Sequence, residues 1–235
     1  MGRLAIVLGS GAYGARGETV AGAVAAQDGE TVAGAAGAQG VVIRQRHDGD
    51  GYRLPHRIDH AANLRSLVEA GCDRAIGFSS VGSLKEALGV GSFVCPEDFI
   101  APQANESIFE DARGHMVPGF DSDWRARVIS TWPREGPELR DGGVYWQTRG
   151  PRFETPAEVR LLAAHADVVG MTIASEAIAA RELGIPYAAI CVVDNLANGI
   201  GPSPLTVDEI EGVRDVNAVR LRGVLAELLP ALAEA

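Results

Sequence analysis

The sequence predicts an α/β fold: one domain over residues 1–235 with a twisted, mostly parallel central sheet flanked by helices. Two observations carry this. Apolar runs of strand length alternate along the chain with stretches whose apolar residues recur at helical spacing. Within 149–199, runs 166–170 and 187–193 bracket a helix-spaced stretch at 175–183 with Gly and Pro at the boundaries, which is a βαβ pattern. At 235 residues and 46% hydrophobic content, the chain can bury a sizeable core in one such unit.

The elements follow in order. Run 4–8 is the first strand and leads into the glycine-rich GSGAYG. Residues 17–23 and 29–35 both read GETVAGA, and the pair is read as a hairpin turning near Asp28-Gly29. Strands are expected at 41–44, 74–79 and 92–95, with a helix at 57–70. Residues 102–142 are rich in Pro, Gly, Asp and Arg, with Trp124 and Trp132 embedded, and read as a long structured flap. A helix at 157–164 precedes the βαβ pattern. The final helix, 206–230, opens on Thr206 with Glu209 three residues on, a capping-box spacing, and its apolar face is expected to close the sheet.

Composition excludes several classes of partner. A net charge of -10 argues against nucleic acid and anionic membranes, both of which need basic surface, while a small anion can still be held by local arginines. Cys72, Cys95 and Cys191 are scattered and odd in number, as in a cytoplasmic protein with reduced core thiols. Run 4–8 is too short for a signal peptide, and no stretch approaches the about 20 apolar residues of a membrane span.

Gly9, Gly11 and Gly14 match a dinucleotide fingerprint, but that motif must open a helix, and 15–40 has no helical period. Ser10 with its flanking backbone N–H groups suits a phosphate oxyanion instead, the alternative being a plain tight turn. Arg46-His47 offers a planar fork and a second donor at a strand end, the alternative being a solvated loop within a mixed-charge run. Ser79-Ser80 permits close approach of an anion or sugar, or caps a helix. His56 and His60 with His47 lack a completing Cys or carboxylate at ligand spacing; no metal is expected, and the first two are read as helix-surface or interface residues. Three polar points remain: Phe153-Glu154 before a helix, Met171-Thr172 after a strand, and Asp194-Asn195 at a strand's carboxyl end. Ligands of open α/β sheets bind outside those carboxyl ends, so the three are expected to share one site.

GPRFETPAE, DVVGMT, the ARELG helix and the strand ending in Asp-Asn, preceded in order by VLGSG at 7–11, RH at 46–47, LPHRIDHAANLRSL at 54–67 and SSVGSL at 79–84, resemble the trimeric purine nucleoside phosphorylase and methylthioadenosine phosphorylase family. The resemblance covers most of the chain and is weakest over 12–45 and 103–140. It implies a homotrimeric pentosyltransferase of purine salvage, with inorganic phosphate as co-substrate and no organic cofactor. Carried over position by position, Ser10, Arg46, His47, Ser79, Ser80 and Thr172 bind phosphate, while Phe153, Glu154, Met171 and Asn195 hold base and ribose. Asn195, Glu154 and His47 are the catalytic candidates: phosphate attacks C1′ of an oxocarbenium-like sugar as the purine leaves, and fixed dipoles stabilise the developing charge.

A 6-oxopurine presents N1–H, O6 and N7, which call for a carboxylate and an amide; Glu154 and Asn195 are those types. In the 6-aminopurine branch the position matching Asn195 is usually Asp. The expected substrate is therefore an inosine- or guanosine-type nucleoside, with 5′-methylthioinosine or 5′-methylthioadenosine as alternatives. A hydrolytic nucleosidase and an inert nucleoside-binding paralogue are the readings from other classes. The chain departs from the family pattern at Arg149, Ser175, Asp194, Leu196 and 48–54.

Overall fold

Strand β1 (Arg3–Leu8) sits between parallel neighbours β3 (Val41–Gln45) and β4 (Cys72–Ser83) in the computed structural model, which describes residues 2–9, 30–32, 40–47, 52–201 and 207–233. Five of its six residues are buried, as expected of a parallel strand covered on both faces. β4 also pairs in parallel with β10 (Tyr187–Leu196), which meets β5 (Phe93–Cys95) antiparallel; β5 then pairs with β7 (Leu139–Asp141), and β2 (Glu30–Val32) edges β3. Six of the nine pairings among the described residues are parallel.

Alternating side chains divide the core between the two faces. Leu4, Ile6 and Leu8 pack with α2 (Ser122–Thr131) and α5 (Val207–Ala233). Ala5 and Val7 point the other way, to α1 (His60–Glu69) and α4 (Ile173–Glu182). The sheet then curls. Gly82 and Ser83, at the end of β4, pair both with Asn195 and Leu196 of β10 and with Val169 and Val168 of β9 (Val168–Gly170). Strand β9 continues through β8 (Val144–Gln147) to β6 (Asp98–Ile100). A second wall thus rises at the carboxyl ends of β1, β4 and β10. α3 (Pro156–Ala163) packs outside that wall, behind a Thr155–Glu158 capping box.

Outside the GETVAGA pair, every strand and helix run expected from the sequence is present among the described residues, with shifted ends. The helix expected from residue 57 starts at His60, because Pro55 opens a 3-10 turn and the Asp59 carboxylate caps the helix by accepting from the Ala62 N–H at 2.8 Å. Residues 102–142 are not simply a flap. α2 lies within them, and Trp124 and Trp132 are core residues whose indole N–H groups donate to the Ala75 and Pro137 carbonyls. The Asp28-Gly29 turn, most of the GETVAGA pair and Thr206 lie outside the described residues.

Candidate active site

Nine of the ten candidate side chains line one cleft: Arg46, His47, Ser79, Ser80, Phe153, Glu154, Met171, Thr172 and Asn195. Ser10 lies outside the described residues, although the adjoining Gly9 lines the same cleft. The floor comes from the carboxyl ends of β3, β4 and β10, and the opposite wall from the loop before α3 and the start of α4. This is where an α/β sheet exposes strand-end groups.

Arg46 is 1% exposed, so it is no loop residue in solvent. Its Nε–H and an Nη2–H clasp the Glu176 carboxylate, the latter at 2.9 Å, and Nη1 donates to the Phe78 carbonyl at 2.8 Å. A Cβ on Gly9 would collide with Nη1, so the first glycine of GSGAYG is required by an arginine rather than by a dinucleotide. Burial alone would raise the Glu176 carboxyl, but the ion pair with Arg46 wins and holds it at about 2.

His47 donates Nδ1–H to the Arg53 carbonyl at 2.8 Å and stacks on Tyr52, with ring centroids 4.8 Å apart, leaving Nε2 as the other ring nitrogen. Burial drives its pKa from 6.5 down to about 4, against the pull of the Arg53 hydrogen bond. The ring is therefore neutral near pH 7. A base with a depressed folded pKa binds its proton more readily in the unfolded chain, so its stabilising contribution is complete above pH 6.5 and declines as pH falls towards 4. His47→Gln is expected to flatten the dependence of Tm on pH between 6.5 and 4; an unchanged slope in thermal melts would refute this assignment.

Ser79 and Ser80 lie inside β4 and cap no helix. The Ser79 hydroxyl is 3.4 Å from that of Thr172, the N-cap of α4. Thr172 makes no side-chain cap, and the Tyr145 phenol oxygen accepts from the Thr172 and Ile173 N–H groups at 3.1 and 3.3 Å. Gln147 accepts at 3.1 Å from the Ser175 N–H, the donor that an N-cap hydroxyl would otherwise take, and donates to the Ser175 hydroxyl, which leaves the Thr172 hydroxyl to the cleft. Proline could not donate there, which accounts for Ser175.

Glu154 is buried, with one carboxylate oxygen accepting from the Thr148 hydroxyl at 2.7 Å; its own carbonyl accepts from the Asn198 amide at 3.3 Å. Asn195 lies in β10 rather than in a turn, just past a register shift between Val193 and Asn195, and its amide donates to the Leu196 carbonyl at 2.9 Å. The departure at Asp194 has a local cause. Its carboxylate is 2% exposed and accepts from the Ser80 hydroxyl and, at 2.8 Å, from Asn217 Nδ2, which also reaches the Val193 carbonyl at 3.2 Å. Arg214 Nε stands 3.8 Å away. Asp194 therefore braces the irregular strand end to α5 and is not a cleft-lining group. Burial raises its carboxyl above the ordinary value despite these donors. Leu196 likewise does not line the cleft, whereas Ala197 and Asn198 do. Nothing in the structure explains Arg149.

His60 departs from expectation: it is 4% exposed, with Nδ1 3.8 Å from Glu176 Oε1, and is not a surface residue. Among the described residues no group of three or more His, Cys, Asp or Glu is placed to hold a metal, and no helix is long and apolar enough to cross a membrane. Tyr52, Leu54, Asn198, Ile210 and Arg214 line the cleft without having been singled out from the sequence.

The whole chain superposes on methylthioadenosine phosphorylase from Schistosoma mansoni in complex with adenine with a TM-score of 0.79, at 21% identity, covering 93% of that chain, which establishes a shared fold. A probable 6-oxopurine nucleoside phosphorylase of Archaeoglobus fulgidus is 44% identical over 176 residues, covering 72% of this chain and 70% of that protein. A probable S-methyl-5′-thioinosine phosphorylase of Methanothermobacter thermautotrophicus is 41% identical over 177 residues, covering 74% of this chain and 62% of that protein. The family model described as the phosphorylase superfamily matches residues 3–230. With the strand-end cleft and a match over nearly its full length, the chain belongs to the phosphorylase superfamily.

Proposed function

We propose that this protein cleaves the N-glycosidic bond of a 6-oxopurine nucleoside with inorganic phosphate, giving free purine and a (deoxy)ribose 1-phosphate. The observation that carries the reading is the spacing of two polar clusters along β4. Arg46, on the Phe78 carbonyl, and the Ser79–Thr172 hydroxyl pair mark one level, while Asn195 pairs with Gly82, three residues beyond Ser79. Three residues of strand span about 10 Å, which accommodates a ribose between a phosphate and a base.

At the first level, Arg46, Ser79, Thr172 and Ser10 supply the donors for phosphate, with His47 and Ser80, whose hydroxyl proton is given to Asp194, beside them. Neutral His47, with its Nδ1–H given to Arg53, can accept a hydrogen bond from a phosphate O–H at Nε2. At the second level, the Glu154 carboxylate faces N1–H and the Asn195 amide faces O6 and N7, stabilising charge on the departing base. Phe153 and Met171 pack on base and sugar. Phosphate attacks C1′ from its own level as the C1′–N9 bond breaks, and the bonding electrons leave with the purine. The reading includes no organic cofactor or metal, a cytoplasmic location and a homotrimer.

A second reading, 5′-methylthioinosine, keeps the same base and is favoured by the apolar Leu54, Pro55 and Ile210 on the cleft wall. The test is base release from inosine, guanosine, adenosine and their 5′-methylthio counterparts, with and without phosphate. Phosphate-dependent release from 6-oxo substrates supports the proposal. Release without phosphate indicates a nucleosidase, preference for 6-amino substrates overturns the Asn195 assignment, and binding without turnover indicates an inert paralogue.

A further inference from the structure

We infer that Glu176, on α4, is a positioning residue that fixes the direction in which Arg46 presents its guanidinium to phosphate; this rests on the phosphate reading of the cleft. Guanidinium carries five N–H donors. Glu176 takes one from Nε and one from Nη2, the Phe78 carbonyl takes one from Nη1, and one donor remains on each terminal nitrogen. Since Arg46 lines the cleft, those two are the donors it can offer an anion. The carboxylate that aims them is itself held, because the Tyr187 hydroxyl donates to Oε2 at 2.5 Å and His60 Nδ1 stands 3.8 Å from Oε1.

The surrounding fold keeps room for this arrangement. A Cβ on Gly77 in β4 would collide with the Tyr187 hydroxyl, and one on Gly9, just past β1, with Arg46 Nη1, so two glycines leave space for one clamp. Arg46 and Glu176 are 1% and 0% exposed. The rotameric freedom of the arginine is therefore lost on folding and not on binding, which is preorganisation. The clamp has an electrostatic cost: Glu176 cancels the charge of Arg46. If neutralisation were its main effect, removing the carboxylate charge would tighten phosphate binding; if positioning is, removal weakens it. The two accounts predict opposite signs.

The experiment measures KM for phosphate and for inosine separately, with phosphate binding to the nucleoside-free protein followed by calorimetry. Glu176→Gln is expected to raise both KM and Kd for phosphate by about tenfold or more, with KM for inosine within about twofold of the parent. Tyr187→Phe keeps the ion pair and removes one hydrogen bond from the carboxylate; a phosphate-selective rise of about twofold to fivefold is expected. Where Glu176→Gln fails to fold, Tyr187→Phe decides. Unchanged or tighter phosphate binding in the deciding variant, or an equal shift in both KM values, overturns the inference. A parent protein that neither binds phosphate nor depends on it overturns the functional reading first, so the two failures are distinguishable.

Discussion

Arg46→Ala is expected to destabilise the protein by about 3–5 kcal/mol, the usual cost of removing one partner of a buried ion pair. For a domain of this size that corresponds to a fall in Tm of about 6–20 °C. The magnitude comes less from the lost attraction than from what is left behind. Glu176 is fully buried, and burial opposes its ionisation; only Arg46 and neighbouring donors hold its carboxyl at about 2. Without the guanidinium, the carboxylate must take up a proton or draw in water. In the parent, the contribution of Glu176 is complete above pH 4.5 and declines as pH falls towards 2, so Arg46→Ala should lose most at neutral pH and least in acid. The double variant Arg46→Met, Glu176→Leu removes both charges and is expected to recover at least half of the lost stability, as buried pairs replaced by apolar groups commonly do. It should not recover phosphate binding. Urea unfolding of the parent, the single and the double variants at pH 7 provides the check, and a single variant within about 1 kcal/mol of the parent would show that the pair carries no such strain.

Much of the fold was legible because its strands are buried on both faces. Runs such as 4–8 and 187–193 have few polar interruptions, and the alternation of faces within them is revealed only by the packing of Leu4, Ile6 and Leu8 against Ala5 and Val7. What escaped were elements with little apolar signal of their own. α2 reads SDWRARVIST and buries only Trp124 and Val128, two positions one turn apart, so no periodicity stands out. Strands β6 and β7 have three residues each, and pairing rather than composition defines them. The same distinction divides the site. Groups lining the cleft sit at strand ends in a recognisable order, so Arg46, Thr172 and Asn195 could be singled out. Groups that hold them are distant in sequence and chemically ordinary. Glu176 pairs with Arg46 across 130 positions, and Tyr145 meets the Thr172 N–H across 27. Within its own helix Glu176 is just an acidic residue in the first turn, where such residues are favoured anyway. Only the conflict between a buried arginine and its need for a counter-charge could have pointed to it.

At the other level of the cleft, Glu154→Ala is expected to lower kcat/KM for inosine about a hundredfold, the order expected when a hydrogen bond to a charged group is lost. The fold should tolerate this change. Removing the carboxylate releases the Thr148 hydroxyl, which already lies 3.5 Å from the Gly170 carbonyl and can donate there, so no buried donor is stranded. The charge removed from a buried position is itself costly to bury, which further limits the loss of stability. KM for phosphate should stay within about twofold, because the carboxylate belongs to the base level and not to the Arg46 level. Asn195→Asp probes the same level in the opposite sense. An amide can donate to O6 and N7, whereas a carboxylate repels O6 and accepts from an exocyclic amine, so the ratio of kcat/KM for inosine over adenosine should fall by about a hundredfold. The two variants together locate the base. If Glu154→Ala impaired inosine and adenosine equally while Asn195→Asp left their ratio unchanged, neither side chain would be reading the purine edge, and the base would have to lie elsewhere along the cleft.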